Sequence, residues 1–479
     1  MNHPSIIQGG MGVAVSSWPL ARAVAGSGQL GVVAGTGLDV LLSRKLQDGD
    51  CGGDLRQALA CFPVPEIAER ILDRHLIPGG KRPQDPYRRL PLWRATQSVA
   101  QQQLAVVANF VEVALAKQGH DGPVGINYLE KIQLPALPSL YGAMLAGVDY
   151  VLMGAGIPRE IPGALDRLAE HRDADLSLHV EGARAGDDYR LRFSPREVVG
   201  QIASPLRRPT FLAIITSNVL ATTMARKATG RVDGFVVEGP TAGGHNAPPR
   251  GRPALSERGE PEYGPRDEVD LDGIARLGLP FWLAGSCASP ERLEQARRIG
   301  ACGIQVGTAF AFSRESGLTD DLKHAVISQA RLGRIRVFTD PTASPTGFPF
   351  KVVPLAGTLS EREEYDARPR TCDVGYLRHV YRKDDGSLGY RCPAEPIETY
   401  VRNGGDASDA VGRKCLCNCL LANVGLAQRQ PGGYVEQPLL TSGDDLGVIA
   451  QLLGPDRDSY SAEDVVRWLT DAPASPQPS

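Results

Sequence analysis

Eight short apolar runs separated by helix-like stretches constrain this chain more than any other feature. They are Ile6-Ile7, Gly31-Val32-Val33-Ala34, Val124-Gly125-Ile126-Asn127, Val148 to Met153, Phe211 to Ile215, Phe235-Val236-Val237, Phe281 to Ala284 and Ile304-Gln305-Val306. Runs this short and this continuous read as strands buried on both faces. Between them the pattern turns helical, as at Leu20 to Ser27, Pro138 to Ala146, Pro162 to His171, Leu220 to Thr229 and Pro290 to Ile299. The last of these opens with Ser289 as N-cap and Pro290 at the first helical position. Strand and helix alternating in this way favour an α/β fold, a (β/α)8 TIM barrel over an open doubly wound sheet.

The rhythm breaks in a few places. At 479 residues the chain is longer than one barrel needs, which predicts a barrel over 1–355 followed by a further region. Residues 51–120 are too long for one connection and carry helical patterning at Pro65 to Leu76 and Thr96 to Lys117, so they read as a helical insertion after the second strand. Residues 175–195 read as a β-hairpin around Ala185-Gly186-Asp187-Asp188. Beyond the barrel, 356–471 form a cysteine-rich C-terminal appendage that closes with a helix near Ala462 to Leu469, and 472–479 read as a flexible tail.

The formal charge of −3 leaves no basic footprint, which argues against nucleic acid as a partner. No apolar run approaches the roughly 20 residues of a membrane span, and no Lys/Arg-headed apolar leader opens the sequence, so a cytoplasmic protein without a membrane partner is expected. Nine cysteines, an odd number in a long chain, fit a reducing compartment better than a disulfide framework.

Candidate chemistry sits where strands end. Gln8-Gly9-Gly10-Met11-Gly12 follows the first strand, Gly243-Gly244-His245 the sixth, Gly285-Ser286 the seventh and Gly307-Thr308 the eighth. In a barrel these loops meet on the C-terminal face, and the last two lie where barrels commonly hold a phosphate. Glycines let backbone N–H groups approach an anion, and His245 is a residue type that exchanges a proton near neutral pH. Glu238, at the end of the sixth strand, is a second candidate acid or base. The loops therefore predict an anion-binding site that moves a proton. No Gly-x-x-x-x-Gly-Lys-Ser/Thr element is present, so P-loop nucleotide hydrolysis is not indicated.

Taken together, Pro4 to Gly12, Gly28-Gln29-Leu30-Gly31-Val32-Val33, Glu238 to His245, Phe281 to Gly285 and Gly303 to Phe310 resemble the nitronate monooxygenase family, also called 2-nitropropane dioxygenases. That family shares its FMN-binding TIM barrel with the flavin-dependent enoyl-acyl carrier protein reductases. The resemblance covers about residues 4–351. It implies that Gln8, Gly10, Met11, Gly12 and Asn127 lie along the flavin, that Gly243 and Gly244 border its ribityl and phosphate, and that Gly285, Ser286, Gly307 and Thr308 close the phosphate site. It also implies that His245 stands beside the flavin's reactive face as a base or polarising group. The chain departs from many members of the family at Gly285-Ser286-Cys287 and in a polar excursion from Asn246 to Asp270, and both departures bear on the substrate.

The resemblance implies an FMN-dependent oxidoreductase that oxidises alkyl nitronates, or similarly stabilised carbanions, with molecular oxygen. The alternative on the same scaffold is an NAD(P)H-dependent enoyl-thioester reductase. A reading from another class is a flavin-free scaffold or interaction protein that binds partners through its cysteine-rich region. Five of the nine cysteines lie between Cys372 and Cys419. Cys392, Cys415, Cys417 and Cys419 are candidate ligands for zinc or an Fe–S cluster. The alternating spacing of the last three puts them on one face of an extended chain, and buried reduced thiols that act as small apolar residues are the alternative.

Overall fold

The computed structural model describes residues 3–252, 254–455 and 457–471, so the expected tail at 472–479 lies outside the described residues. All eight apolar runs are strands: β1 (Ile6–Gln8), β2 (Gly31–Ala34), β3 (Val124–Leu129), β4 (Tyr150–Gly154), β5 (Thr210–Ile215), β6 (Gly234–Glu238), β7 (Phe281–Ala284) and β8 (Gly303–Val306). They form one parallel sheet in the order β1-β8-β7-β6-β5-β4-β3-β2. A parallel bridge between Ile7 and Leu30, with Gln8 N–H donating to the Leu30 carbonyl at 2.9 Å, brings the two ends together into a barrel.

The period of two along each strand separates two cores. Ile7, Val32, Leu152, Leu212, Val236 and Trp282 pack against one another inside the barrel. Their neighbours Ile6, Val33, Val151, Phe211, Phe235 and Phe281 pack outward against the helices. Trp282 is fully buried, and its indole N–H is satisfied by the Pro4 carbonyl at 2.8 Å.

The insertion is helical as the sequence predicts, with helices Asp54–Ala60, Pro65–His75 and Val99–Ala116. Val99–Ala116 is long and apolar enough to cross a membrane by composition, but 67% of it is buried in the molecule, where it packs on Ala136–Leu145, Leu38–Gln47 and Trp18–Gly26. The hairpin is present too, with Ala174–Ser177 antiparallel to Arg190–Phe193.

The region after the barrel packs against it. Its last helices, Gly447–Leu453 and Ala462–Thr470, pack on the barrel's outer helices Asp320–Arg331, Trp18–Gly26 and Pro290–Arg298. Its earlier part meets the insertion where Tyr87 N–H donates to Gln428 Oε1 at 2.9 Å, Gln428 Nε2 donates to the Tyr87 carbonyl at 3.0 Å and Arg89 donates to Gln430 Oε1 at 2.9 Å. Further polar contacts hold it together and to helix Leu38–Gln47. Arg368 makes a bidentate pair with Glu436 at 2.7 and 2.9 Å, Gln430 joins Glu436 to Asp373, and Arg44 donates to the Leu426 carbonyl at 2.6 Å.

The cysteines differ from expectation as well. Cys415 caps a helix, Leu416–Ala422, so Cys415, Cys417 and Cys419 do not share one face of an extended chain. Leu416, Leu420 and Leu421 supply the helical spacing that outweighs the alternation of the thiols. Cys419 packs with Ala343, Phe350 and Leu439, whereas Cys392 and Cys415 gather with Cys372 and Cys417. Among the described residues no group of three or more His, Cys, Asp or Glu side chains is arranged to hold a metal ion, which removes the support for zinc or an Fe–S cluster at Cys392, Cys415, Cys417 and Cys419.

Candidate active site

A cavity of about 410 Å³ opens at the C-terminal ends of the strands. Gly10, Met11, Gly12, Asn127, Glu238, Gly243, Gly244, His245, Gly285, Ser286, Gly307 and Thr308 all line it, so the structure brings together residues from five strand ends. Gln8 sits beneath them, fully buried. Its amide donates to Ser16 Oγ at 2.8 Å and accepts from Val32 N–H at 2.9 Å, so it fixes the loop after β1 from below. Gly10 has a steric reason to be glycine, because a Cβ there would fall 2.3 Å from Cβ of Asn127. Ser286 holds a left-handed backbone at φ 48°, strain of a kind that persists where surrounding contacts enforce it.

The two candidate proton carriers have opposite surroundings. Glu238 ends β6 at the cavity, and burial pushes its carboxyl up to about 7, so it exchanges a proton at neutral pH. His245 pairs through its backbone with Phe350, sets its ring at 4.9 Å from that of Phe350, and joins Ser344 Oγ to Nε2 at 2.7 Å. Burial, with the Lys131 ammonium as a lesser cause, lowers its pKa to about 3. The ring is therefore neutral across the physiological range, and the expectation of a histidine titrating near neutrality is corrected. Lys131 lies 2.8 Å above the Phe348 ring, and burial lowers its pKa to about 8.

Two cavity residues outside the sequence-predicted set carry buried acceptors with no partner, Gln305 Oε1 and Asn246 Oδ1. Gln305 lies on β8, and Asn246 is anchored through its amide N–H to the Ala242 carbonyl at 3.1 Å. Buried acceptors are normally satisfied, so these two fit a ligand that presents N–H or O–H donors. Both were within reach of the sequence, as Gln305 lies inside one of the recognised motifs and Asn246 directly follows His245.

The cavity's remaining wall comes from far along the chain. Val374, Tyr376, Leu377, Leu416, Cys417 and Leu420 give it an apolar side. Tyr376 is held by a hydrogen bond from its hydroxyl to the buried Asp39, which also accepts from Trp93 Nε1 at 3.1 Å. A strap, 439–446, crosses the loops after β6, β7 and β8. Gly244 N–H donates to Thr441 Oγ1 at 3.1 Å, and Gly443 N–H donates to Thr308 Oγ1 at 3.2 Å. A Cβ on Gly243 would meet Gly443 N at 2.8 Å, so the strap's backbone is what requires glycine there. Lys351 Nζ clamps Asp444 at 2.7 and 2.8 Å. Asp445 lines the cavity, and burial raises its pKa. The sequence signal for the strap is slight: a small polar cluster, Thr441-Ser442-Gly443-Asp444-Asp445, between Leu440 and Leu446.

No protein-family model matches the chain. One curated relative, the (3aS,4S,5R,7aS)-5-hydroxy-7a-methyl-1-oxo-octahydro-1H-indene-4-carboxyl-CoA dehydrogenase of Mycobacterium tuberculosis (strain ATCC 25618 / H37Rv), is 24% identical over 245 residues. The match spans 48% of this chain and 64% of that relative. Solved structures similar to this chain include FabK from Thermotoga maritima, with 16% identity, a TM-score of 0.48, and 98% of this chain and 93% of that one covered. Another is the nitroalkane oxidase from Streptomyces ansochromogenes, at 15% identity and TM-score 0.45, covering 98% and 96% of the two chains. A third is the enoyl reductase domain of MlnA from the macrolactin biosynthesis cluster of Bacillus amyloliquefaciens, at 11% identity and TM-score 0.48, covering 98% and 93%.

Proposed function

We propose that this chain is a flavin-dependent oxidoreductase that binds FMN at the C-terminal face of its barrel and reduces the activated double bond of an apolar acyl thioester, with NAD(P)H as electron donor. The observation that carries the flavin assignment is the pair of unpartnered buried acceptors, Gln305 Oε1 and Asn246 Oδ1, on a cavity floored by the glycine loops. A flavin offers an N–H on its ring and hydroxyls on its ribityl chain, which are the donors such acceptors need. Gly10, Met11, Gly12 and Asn127 would lie along the ring, and Gly285, Ser286 and Gly307 near the phosphate. When bound, the flavin supplies the hydride chemistry, and the chain supplies binding, orientation and a proton.

Two features support reduction over the nitronate oxidation that the sequence puts first. The wall built by Val374, Leu377, Leu416 and Leu420 is larger and more apolar than a small nitronate requires. Glu238, with its pKa near 7, holds a proton that a developing carbanion can take, whereas neutral His245 brings no positive charge to an anionic substrate. The named activity of the curated relative, on a CoA thioester, accords with this reading.

Oxidation of an alkyl nitronate by molecular oxygen is the second reading. It is favoured by His245, whose fixed ring lines the cavity and can polarise a bound oxygen through a hydrogen bond. Assays with an enoyl thioester plus NADPH under nitrogen, and with a propyl nitronate under air, separate the two. Turnover of the nitronate alone would refute the reductase assignment.

A further inference from the structure

A second cavity, of about 360 Å³, lies beside the first and plays no part in the chemistry proposed above. Leu129 and Ile157 line both cavities and so form the partition between them. The same elements serve both sides. The loop after β4 gives Gly156 to the first cavity and Arg159 to the second, and helix Asn218–Lys227 gives Leu220 to the first and Thr223, one turn on, to the second. Ile157 is 55% exposed, so the partition there is one uncovered side chain and not packed core. Glu130 stands at the partition as well, since a Cβ on Gly156 would collide with its Oε2.

One wall of this second cavity is the β-hairpin, and it is pinned in place. Ser177 donates through its N–H and Oγ to Glu160 at 2.6 and 2.9 Å, and its carbonyl accepts from Gln133 Nε2 at 3.1 Å. Glu160 also faces Arg190 at 3.8 Å, so these groups are engaged with one another. Others are not. Among the described residues the Arg159 guanidinium and the Thr223 hydroxyl have no hydrogen-bond or ion-pair partner, and Glu130 accepts only from Gln133 Nε2, at 3.1 Å through Oε1. The rest of the lining is apolar, from Leu129, Met153, Ile157, Ile161 and Leu176.

We propose that the second cavity binds the carrier arm of the thioester, a flexible chain with amide N–H groups that ends in a phosphate, as in phosphopantetheine. The inference rests on the acyl-thioester reading above and deepens it. The apolar wall of the first cavity takes the acyl chain, and the other side of the thioester passes over Leu129 and Ile157. Methylenes of the arm lie on Met153, Ile161 and Leu176, an amide N–H donates to Glu130, and the phosphate meets the exposed Arg159. A wholly apolar acyl tail in this space would take Glu130, Arg159 and Thr223 out of water and offer them no partner. A chain that alternates methylenes with amides and ends in an anion matches both kinds of lining.

Binding of phosphopantetheine, and of pantetheine, which lacks the phosphate, is measured by calorimetry on the full chain. The parent protein should bind the phosphorylated arm about tenfold more tightly. Arg159→Met should remove that preference and leave pantetheine unchanged. Thr223→Trp, which puts bulk into the second cavity alone, should weaken both ligands about tenfold or more while the protein stays folded. No binding to the parent, a phosphate preference that survives Arg159→Met, or full binding by folded Thr223→Trp would each overturn the proposal. So would loss of NADPH binding in Thr223→Trp with the arm's binding intact, since the space would then belong to the electron donor. Coenzyme A binding more tightly than phosphopantetheine, with the same dependence on Arg159, identifies a nucleotide-borne arm, and equal binding identifies a protein-borne one; both uphold the site. These readouts need no turnover. If the arm binds as expected and no enoyl thioester is reduced, the reductase reading fails and the site stands; if thioesters are reduced and neither variant alters the arm's binding, this inference alone fails.

Discussion

The chemistry of this cavity is decided at single residues by burial. Glu238 and His245 lie on the same loop side of β6, yet burial pushes one carboxyl up to about 7 and drops one imidazole to about 3. Both shifts favour the uncharged form, and they reverse the roles that residue type alone suggests. Replacing Glu238 by Gln should lower kcat/KM for thioester reduction by about 10²–10⁴-fold. In the parent enzyme the rate should fall as pH rises through 7, because reduction needs the protonated carboxyl, and that limb should vanish in Glu238→Gln. A base-driven oxidation would show the opposite sign, with the rate rising through 7, so a pH profile reports the direction of proton transfer. His245 contributes no limb near neutrality. Its ring ¹⁵N resonances should stay those of neutral imidazole from pH 8 down to about 4, and protonation near 6.5 would contradict the structure. The sign for stability follows from the same shift. The unfolded chain takes up a proton at His245 below about 6.5 while the folded one does not, so this residue's contribution is present above that pH and is lost as pH falls toward 3.

At the scale of elements, the strap and the buried ion pair behind it hold the distal wall in place. Gly243 and Gly443 approach backbone to backbone, and Ala at Gly243 would place its Cβ 2.8 Å from both Gly443 N and Ser442 C. Gly243→Ala should therefore cost about 1–3 kcal/mol by overpacking and speed flavin loss, both measurable by denaturant titration and fluorescence. Arg368 and Glu436 form a pair whose side chains are 5% and 0% exposed, so neither charge has water to fall back on. Arg368→Leu should destabilise the protein by about 3–5 kcal/mol, since it leaves Glu436 buried without its cation. Replacing Arg368 and Glu436 together by apolar residues should restore much of that loss, and failure to restore it would mean the pair does more than neutralise itself.

Elements also show what could be read beforehand. Every barrel strand is legible because a doubly buried strand needs a continuous apolar run, and each of the eight has one. The glycine loops are legible because turn residues at strand ends are local signals. The strap is not, because its contacts reach back across the chain, as from Thr441 to Gly244, and no local pattern announces a partner that far away. Cys415-Leu416-Cys417-Asn418-Cys419 misleads for another reason. Its thiols alternate, but leucines at helical spacing decide its conformation by the area they bury. The pKa of His245 could not be read either, since the Ser344 and Phe350 that enclose it come from a segment a hundred residues on.

At the scale of the whole molecule, the barrel supplies the floor of the site and the region after it supplies a wall and a strap. The strand-end loops and the distant segment line one cavity, and burial there raises the Glu238 pKa to about 7. The central claim is that this cavity holds a flavin. Absorbance spectroscopy on the full-length protein, before and after reconstitution with FMN and removal of excess, tests it most directly. A flavin spectrum at about one equivalent per chain, lost from a Gln305→Leu, Asn246→Leu double variant that stays folded, is the predicted result. No flavin bands in the parent protein after reconstitution, or full occupancy in the folded double variant, would contradict it.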